Sequence, residues 1–195
     1  FAVGCSYKYL NSGPGGPAFI HVAPRHADAV RPALSGWLGH AAPFAFDLDY
    51  RPGAGIERMR VGTPPILQLA ALDAAMDVWD IADIHDVRAR SIELSEAFIA
   101  RVEAACPMLA LASPRDPAAR GSQVSFRHPE GYAIMQALIA EGVIGDFRAP
   151  DILRFGFTPL YIGLAEVETA ADTLARIMAT EAWNRADYKR RARVT

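Results

Sequence analysis

Phe1-Ala2-Val3-Gly4-Cys5-Ser6-Tyr7-Lys8-Tyr9-Leu10-Asn11, running on into Ser12-Gly13-Pro14-Gly15-Gly16-Pro17-Ala18-Phe19-Ile20-His21, decides how the rest of the chain is read. The apolar runs at 1–3 and 18–23 predict two strands joined by a turn, because the Gly/Pro cluster between them cannot continue a regular element. The first of these strands reads as buried and runs straight into a polar turn. It opens mid-element without an initiator Met, so an upstream portion of chain is expected. Lys8 stands between two tyrosines at the end of that strand. A lysine desolvated in this way has a lowered pKa, and its amine becomes available as a nucleophile or base, including toward a carbonyl cofactor. The alternative is a lysine whose stem lies along the strand edge with its ammonium in water. The turn is not a P-loop, since no Gly-Lys-Ser/Thr follows it.

Composition narrows the setting. The 195 residues are 51% hydrophobic, which suits one core, or one domain with a piece of another. A formal charge of −2 leaves no electrostatic footprint for nucleic acid or anionic lipid. Two cysteines, Cys5 and Cys106, cannot make a disulfide framework and fit a reducing compartment, so a cytoplasmic protein is expected. No apolar run reaches the roughly 20 residues that span a bilayer.

Further along, 28–34 predicts a short helix and 35–63 an irregular, glycine-rich stretch. Gly62-Thr63-Pro64-Pro65 reads as a helix start with Thr63 as N-cap and a proline in the first turn. That helix would run to about Asp80 with Ile66, Leu69, Leu72, Met76 and Trp79 inside. A second helix, from near Asp83 to Ala105, carries Val87, Leu94, Phe98 and Val102 at three- and four-residue steps. Beyond Pro107 the pattern turns mixed: strands at 123–126, 143–147 and 152–157, and helices at 132–141 and 164–183. The basic tail Lys189-Arg190-Arg191-Ala192-Arg193 reads as a solvated end.

Four segments, taken in order, carry a family resemblance. Tyr7-Lys8-Tyr9-Leu10-Asn11 with the following Gly/Pro turn is similar to the cofactor-lysine segment of kynureninases, with Ser12 departing from the first glycine of the family's turn. Gly36-Trp37-Leu38-Gly39-His40 resembles the family's Gly-Trp-x-Gly-His. Phe44-Ala45-Phe46-Asp47, leading to Gly62-Thr63-Pro64, resembles its phosphate-side segment. Arg154-Phe155-Gly156-Phe157-Thr158-Pro159-Leu160-Tyr161 matches Arg-x-x-x-x-Pro-Leu-Tyr. The resemblance implies an α/β chain: the end of the large domain of a pyridoxal-phosphate (PLP) transferase plus a small α+β C-terminal domain. Residues 1–105 would be the trailing part of the PLP-binding domain and its linking helices, and 106–195 the small domain.

It also implies hydrolysis of L-kynurenine, and of 3-hydroxykynurenine, to anthranilate and L-alanine in tryptophan catabolism, by a homodimer using pyridoxal 5'-phosphate. Lys8 would hold the cofactor and move the Cα proton. Tyr7 would donate its phenol to the cofactor phosphate and, as a second catalytic residue beside Lys8, relay a proton during cleavage. Trp37 and Thr63 would complete the phosphate site, Thr63 from across the dimer interface. Arg154 would bind the substrate carboxylate, though by itself it reads equally as half of a strand-end salt bridge. The aspartate and stacking aromatic that enzymes of this fold type also need would lie upstream. Three alternatives are an aminotransferase of class V, a cysteine desulfurase, and a non-catalytic dimerisation module on the same scaffold. The histidines His21, His26, His40, His85 and His128 share no metal-ligand spacing, and Cys5 reads as a small buried hydrophobe.

Overall fold

The structure is a computed structural model of the chain and describes residues 1–191. Ala192 and Arg193 of the expected basic tail lie outside the described residues. Two compact units divide the chain, Phe1–Ile81 and Ala82–Thr195.

In the first unit β1 (Ala2–Cys5) and β2 (Ala18–His21) form an antiparallel pair, with Ala2 opposite His21 and Cys5 opposite Ala18. Gly4 lies opposite Phe19, and a Cβ there would come within 2.4 Å of the Phe19 ring, so glycine lets that ring lie across the ribbon. The strand expected to be buried is open instead. Val3 is 77% exposed and all four residues of β2 are exposed, because a two-stranded ribbon has no sheet neighbour to cover its faces. Cys5 is half-buried rather than buried.

The short helix α1 is Pro24–Ala27, ahead of the expected 28–34, since Pro24 supplies the fixed φ of a first turn. Asp28 has another task. Its carboxylate accepts from the Gly55 backbone N–H at 2.7 Å and from Arg58 Nη2 at 3.2 Å. Arg58 is buried and also donates to the carbonyls of Gly53 (3.0 Å), Val30 (3.1 Å) and Asp28, tying 28–30 to 53–58. The irregular stretch is thus held by one buried guanidinium whose donors are used on backbone oxygens.

α2 (Ile66–Trp79) starts one residue after the second proline. Its N-cap is Pro65, without a side-chain cap, so Thr63 does not cap it. Consecutive prolines keep the residue before each of them extended, which moves the helix start past Pro65. None of α2 is buried, contrary to the expected interior set: Ile66 is 66% exposed, and Leu69 and Met76 are each 37% exposed.

The second unit holds the main core. α3 (Ile84–Ala105) is capped by Asp83, whose carboxylate accepts from the N–H groups of His85 (2.7 Å) and Asp86 (3.3 Å). A four-stranded antiparallel sheet follows in the order β3 (Ala110–Leu111), β4 (Gln123–Arg127), β6 (Ile152–Gly156), β5 (Asp146–Arg148). α4 (Gly131–Ala140) and α5 (Leu164–Ala179) pack with it, and α6 (Ala186–Lys189) closes the described chain. Phe98 of α3 is at the centre, with ring centroids 4.8 Å from Phe155, 5.5 Å from Phe157 and 6.2 Å from Phe126. The α3 stripe packs on α5 and on the sheet, so α3 belongs to the second compact unit. α5 stops at Ala179, short of the expected Trp183, as Glu181 takes a positive φ of 50°.

Candidate active site

The lysine turn is a closed loop. At its base the Ser6 backbone N–H and the Ser6 hydroxyl both donate to Pro17 O, at 3.2 and 2.6 Å. The Ser12 N–H donates to Ser6 O at 3.2 Å, and the Ser12 hydroxyl donates to Ser6 Oγ at 2.8 Å. Ser6 is fully buried and Ser12 nearly so, so this hydroxyl chain is shielded from competing water. Ser12 therefore has a structural use in the turn where the family pattern has glycine. Asn11 (φ 60°), Gly13 (77°) and Gly15 (87°) supply the left-handed residues that close the loop.

Tyr7, Lys8 and Tyr9 form its exposed crown. The expectation of a desolvated Lys8 is not met within this chain, where the residue is exposed. Lys8 Nζ lies 5.0 Å from the Tyr7 ring centroid, a cation–π contact. The Tyr9 ring stands 5.9 Å from that of Trp79, which ties the crown to the end of α2.

The Gly36-Trp37-Leu38-Gly39-His40 segment is a single 3-10 turn, Trp37–Gly39, packed against residues 58–61. A Cβ on Gly36 would lie 1.9 Å from Val61 O, and one on Gly39 2.4 Å from Arg60 O. Both glycines are needed for close backbone approach. Gly36→Ala is expected to destabilise the protein by about 3 kcal/mol, read from the urea midpoint, since backbone must move. Gly62→Ala, where a Cβ meets nothing within 4 Å, is the control and should be near neutral. Beyond the turn His40 Nδ1 accepts from Ala42 N–H at 3.0 Å, a structural use.

Trp37 is 48% exposed, edge-on to Phe44 at 5.9 Å, and lines a cleft of about 350 Å³ with His40, Phe46 and Tyr50. Neither Tyr7 nor Thr63 lines that cleft, and Thr63 is exposed ahead of α2.

Arg154 lies on β6 in the second unit. Its neighbours Leu153 and Phe155 face the core, so alternation turns Arg154 to the other face, in register with Ser125 on β4 and Asp146 on β5. Arg154 Nη2 is ion-paired to Asp146 Oδ2, and Arg148 Nη1 meets Asp146 Oδ1 at 3.0 Å. Arg154 Nε is buried and has no hydrogen-bond partner among the described atoms. Asp146 was not singled out in the sequence. Its signal lies in sheet register rather than in any motif.

Elsewhere, burial pushes the Cys106 thiol up and the His128 imidazole down from their ordinary values. Among the described residues no three His, Cys, Asp or Glu side chains gather as metal ligands. Within the first unit, an exposed lysine on a pinned loop with a phenol beside it is chemistry that fits PLP.

Solved structures share this fold. A cysteine desulfurase from Thermococcus onnurineus NA1 matches over 86% of this chain and 45% of its own, with a TM-score of 0.67 and 19% identity. The cysteine desulfurase CsdA of Escherichia coli matches over 85% of this chain and 44% of its own, at 0.63 and 18%. A mutant of the protein C-DES, with glycine covalently linked to its PLP cofactor, matches over 83% and 43%, at 0.61 and 23%. The class is therefore the C-terminal part of a PLP-transferase fold.

Within that class, residues 87–174 match the kynureninase C-terminal domain. All of the chain aligns with the kynureninase of Burkholderia mallei strain SAVP1, at 51% identity over 196 residues, and with that of Pseudomonas fluorescens, at 48% over 197. The chain belongs to the kynureninase family. It spans about half the length, 47%, of these curated relatives.

Proposed function

We propose that this chain is part of an enzyme that uses PLP to hydrolyse L-kynurenine to anthranilate and L-alanine. The observation that carries the reading is similarity at 51% identity along the entire chain, from the lysine loop through the Arg154 strand. The cysteine desulfurase alternative rests on 18–19% identity and speaks to fold alone. Incubating the full-length enzyme with PLP and L-kynurenine should release anthranilate and alanine in equal amounts. Release of sulfide from cysteine, with no anthranilate, would replace this reading by the desulfurase one.

PLP supplies the electron sink that makes the bonds around the substrate Cα labile. The chain supplies the rest. Lys8 holds the cofactor through its amine and moves the proton at Cα, for which a loop pinned by Ser6 and Ser12 fixes its reach. Arg154 binds the α-carboxylate and orients the substrate. Tyr7 donates its phenol to the cofactor phosphate, and Trp37 and Thr63 complete that site, Thr63 from a second copy. A charge-assisted hydrogen bond of this kind contributes about 1.5–3 kcal/mol. Tyr7→Phe should therefore weaken PLP binding about tenfold or more, measured by titrating the apoenzyme with the cofactor. Unchanged affinity would remove Tyr7 from the phosphate site.

The first unit is read as the trailing part of the large PLP domain and the second as the small domain. The exposed apolar side chains of α2 and β2 support a homodimer and further large-domain packing. A helix apolar all round belongs in an interior or an interface. Among the described residues no helix is long and apolar enough to cross a membrane, and a cytoplasmic location is part of the same reading.

A further inference from the structure

The outer face of the second unit's sheet carries a charge cluster whose partners are fixed by strand register. Asp146 and Arg154 stand directly opposite each other on β5 and β6, and Arg148 lies two residues beyond Asp146 on the same face. Asp146 uses one carboxylate oxygen for Arg154 and the other for Arg148. Among the described residues two cations, Arg148 and Arg154, thus share the Asp146 carboxylate. The Arg154 and Asp146 side chains are 29% and 33% exposed, so their pairing is only partly screened by water.

We propose that Asp146 is a positioning residue for substrate recognition: anchored by Arg148, its carboxylate holds the Arg154 guanidinium so that the remaining donors of the fork face the substrate's α-carboxylate. This rests on the reading of Arg154 as the carboxylate-binding group. A long arginine side chain must give up rotamer freedom to present a planar pair of donors. A fixed partner opposite it in the ladder removes that cost before substrate arrives. The negative charge of Asp146 would by itself repel a carboxylate, but Arg148 offsets it, and orientation is the larger effect. The buried, unsatisfied Arg154 Nε shows that Asp146 does not exhaust the guanidinium.

Steady-state kinetics of the full-length enzyme on L-kynurenine test this with three variants. Asp146→Asn should raise KM about tenfold with kcat changed less than about threefold, as expected for groups coupled in one charge network. Asp146→Glu keeps the charge but displaces it by one methylene, and should give a smaller rise in KM, which separates position from charge. Binding of a substrate-like inhibitor should weaken, while its analogue lacking the carboxylate should bind all variants alike; thermal stability and PLP content should stay near wild type. Unchanged or lowered KM in Asp146→Asn, or equal weakening of the analogue without the carboxylate, would overturn the proposal. An Arg154→Ala variant with normal kinetics would instead show that the Arg154 reading itself had failed.

Discussion

Replacing Lys8 by alanine in the full-length enzyme should lower turnover of L-kynurenine by about three orders of magnitude or more. A positioned acid–base group alone contributes about 10²–10⁴-fold, and Lys8 is also the cofactor's covalent anchor. The geometry gives this expectation a sharp form. The chain holds two lysines, Lys8 and Lys189. Lys189 Nζ donates to Asn184 Oδ1 at 2.6 Å and lies 5.4 Å from the Trp183 ring centroid, committed to the chain's last turns. Lys8 sits at the crown of a loop braced through Ser6, Ser12 and Pro17, where its amine is exposed. Borohydride reduction of the loaded enzyme, digestion and mass mapping should therefore place the pyridoxyl group on the peptide containing Lys8. The Lys8→Ala protein should carry no such tag. A tag on Lys189, or on a lysine elsewhere in the full-length enzyme, would end the assignment.

What the sequence disclosed about this molecule depended on whether the signal was local. α3 was legible because its stripe of Val87, Leu94, Phe98 and Val102 repeats at helical spacing and Asp83 stands where a cap belongs. The strand at 123–127 was legible from alternation, with Val124 and Phe126 on the core side. Thr63 misled because cap chemistry was weighed without the constraint that two successive prolines place on the residues before them. The exposure of β2 and α2 was hidden for a different reason. Ala18–His21 and Ile66–Trp79 have compositions suited to burial, and composition does not say which surface of a larger protein covers them. The use of Asp28 by Gly55 and Arg58 joins positions nearly thirty residues apart, with no periodic pattern to announce it. The same holds for Asp146 and Arg154, which meet only through antiparallel register. The candidate site divided likewise. Lys8, Trp37 and Arg154 stood out through motif resemblance, whereas the hydroxyl chain under Lys8 and the carboxylate beside Arg154 emerged only from the fold.

Arg154→Ala is expected to cost about 3–5 kcal/mol in kcat/KM, because it would leave a substrate carboxylate desolvated and without its bidentate partner. The sequence raised the possibility that Arg154 serves only a salt bridge, and the structure does contain that salt bridge, with Asp146. The two roles are compatible in physical terms. An arginine fork has five donors, Asp146 engages it at Nη2, and Nε is still unsatisfied in a buried position. A purely structural pair would predict a different pattern of loss. Arg154→Ala would then lower stability, since it removes the ion pair between Asp146 and β6, while kcat/KM of the folded fraction would hold. Arg154→Lys sharpens the contrast. A lysine ammonium is a point charge that can still pair with Asp146 and keep the strand's electrostatics, but it cannot present two coplanar donors to a second carboxylate. Near-normal stability with kcat/KM still reduced about a hundredfold is the outcome expected of Arg154→Lys if recognition is the role. PLP binding should be retained in both variants, as titration of the apoenzyme with the cofactor would show. Full activity in Arg154→Lys, or loss of the cofactor from Arg154→Ala, would place this residue among the structural ion pairs of the sheet.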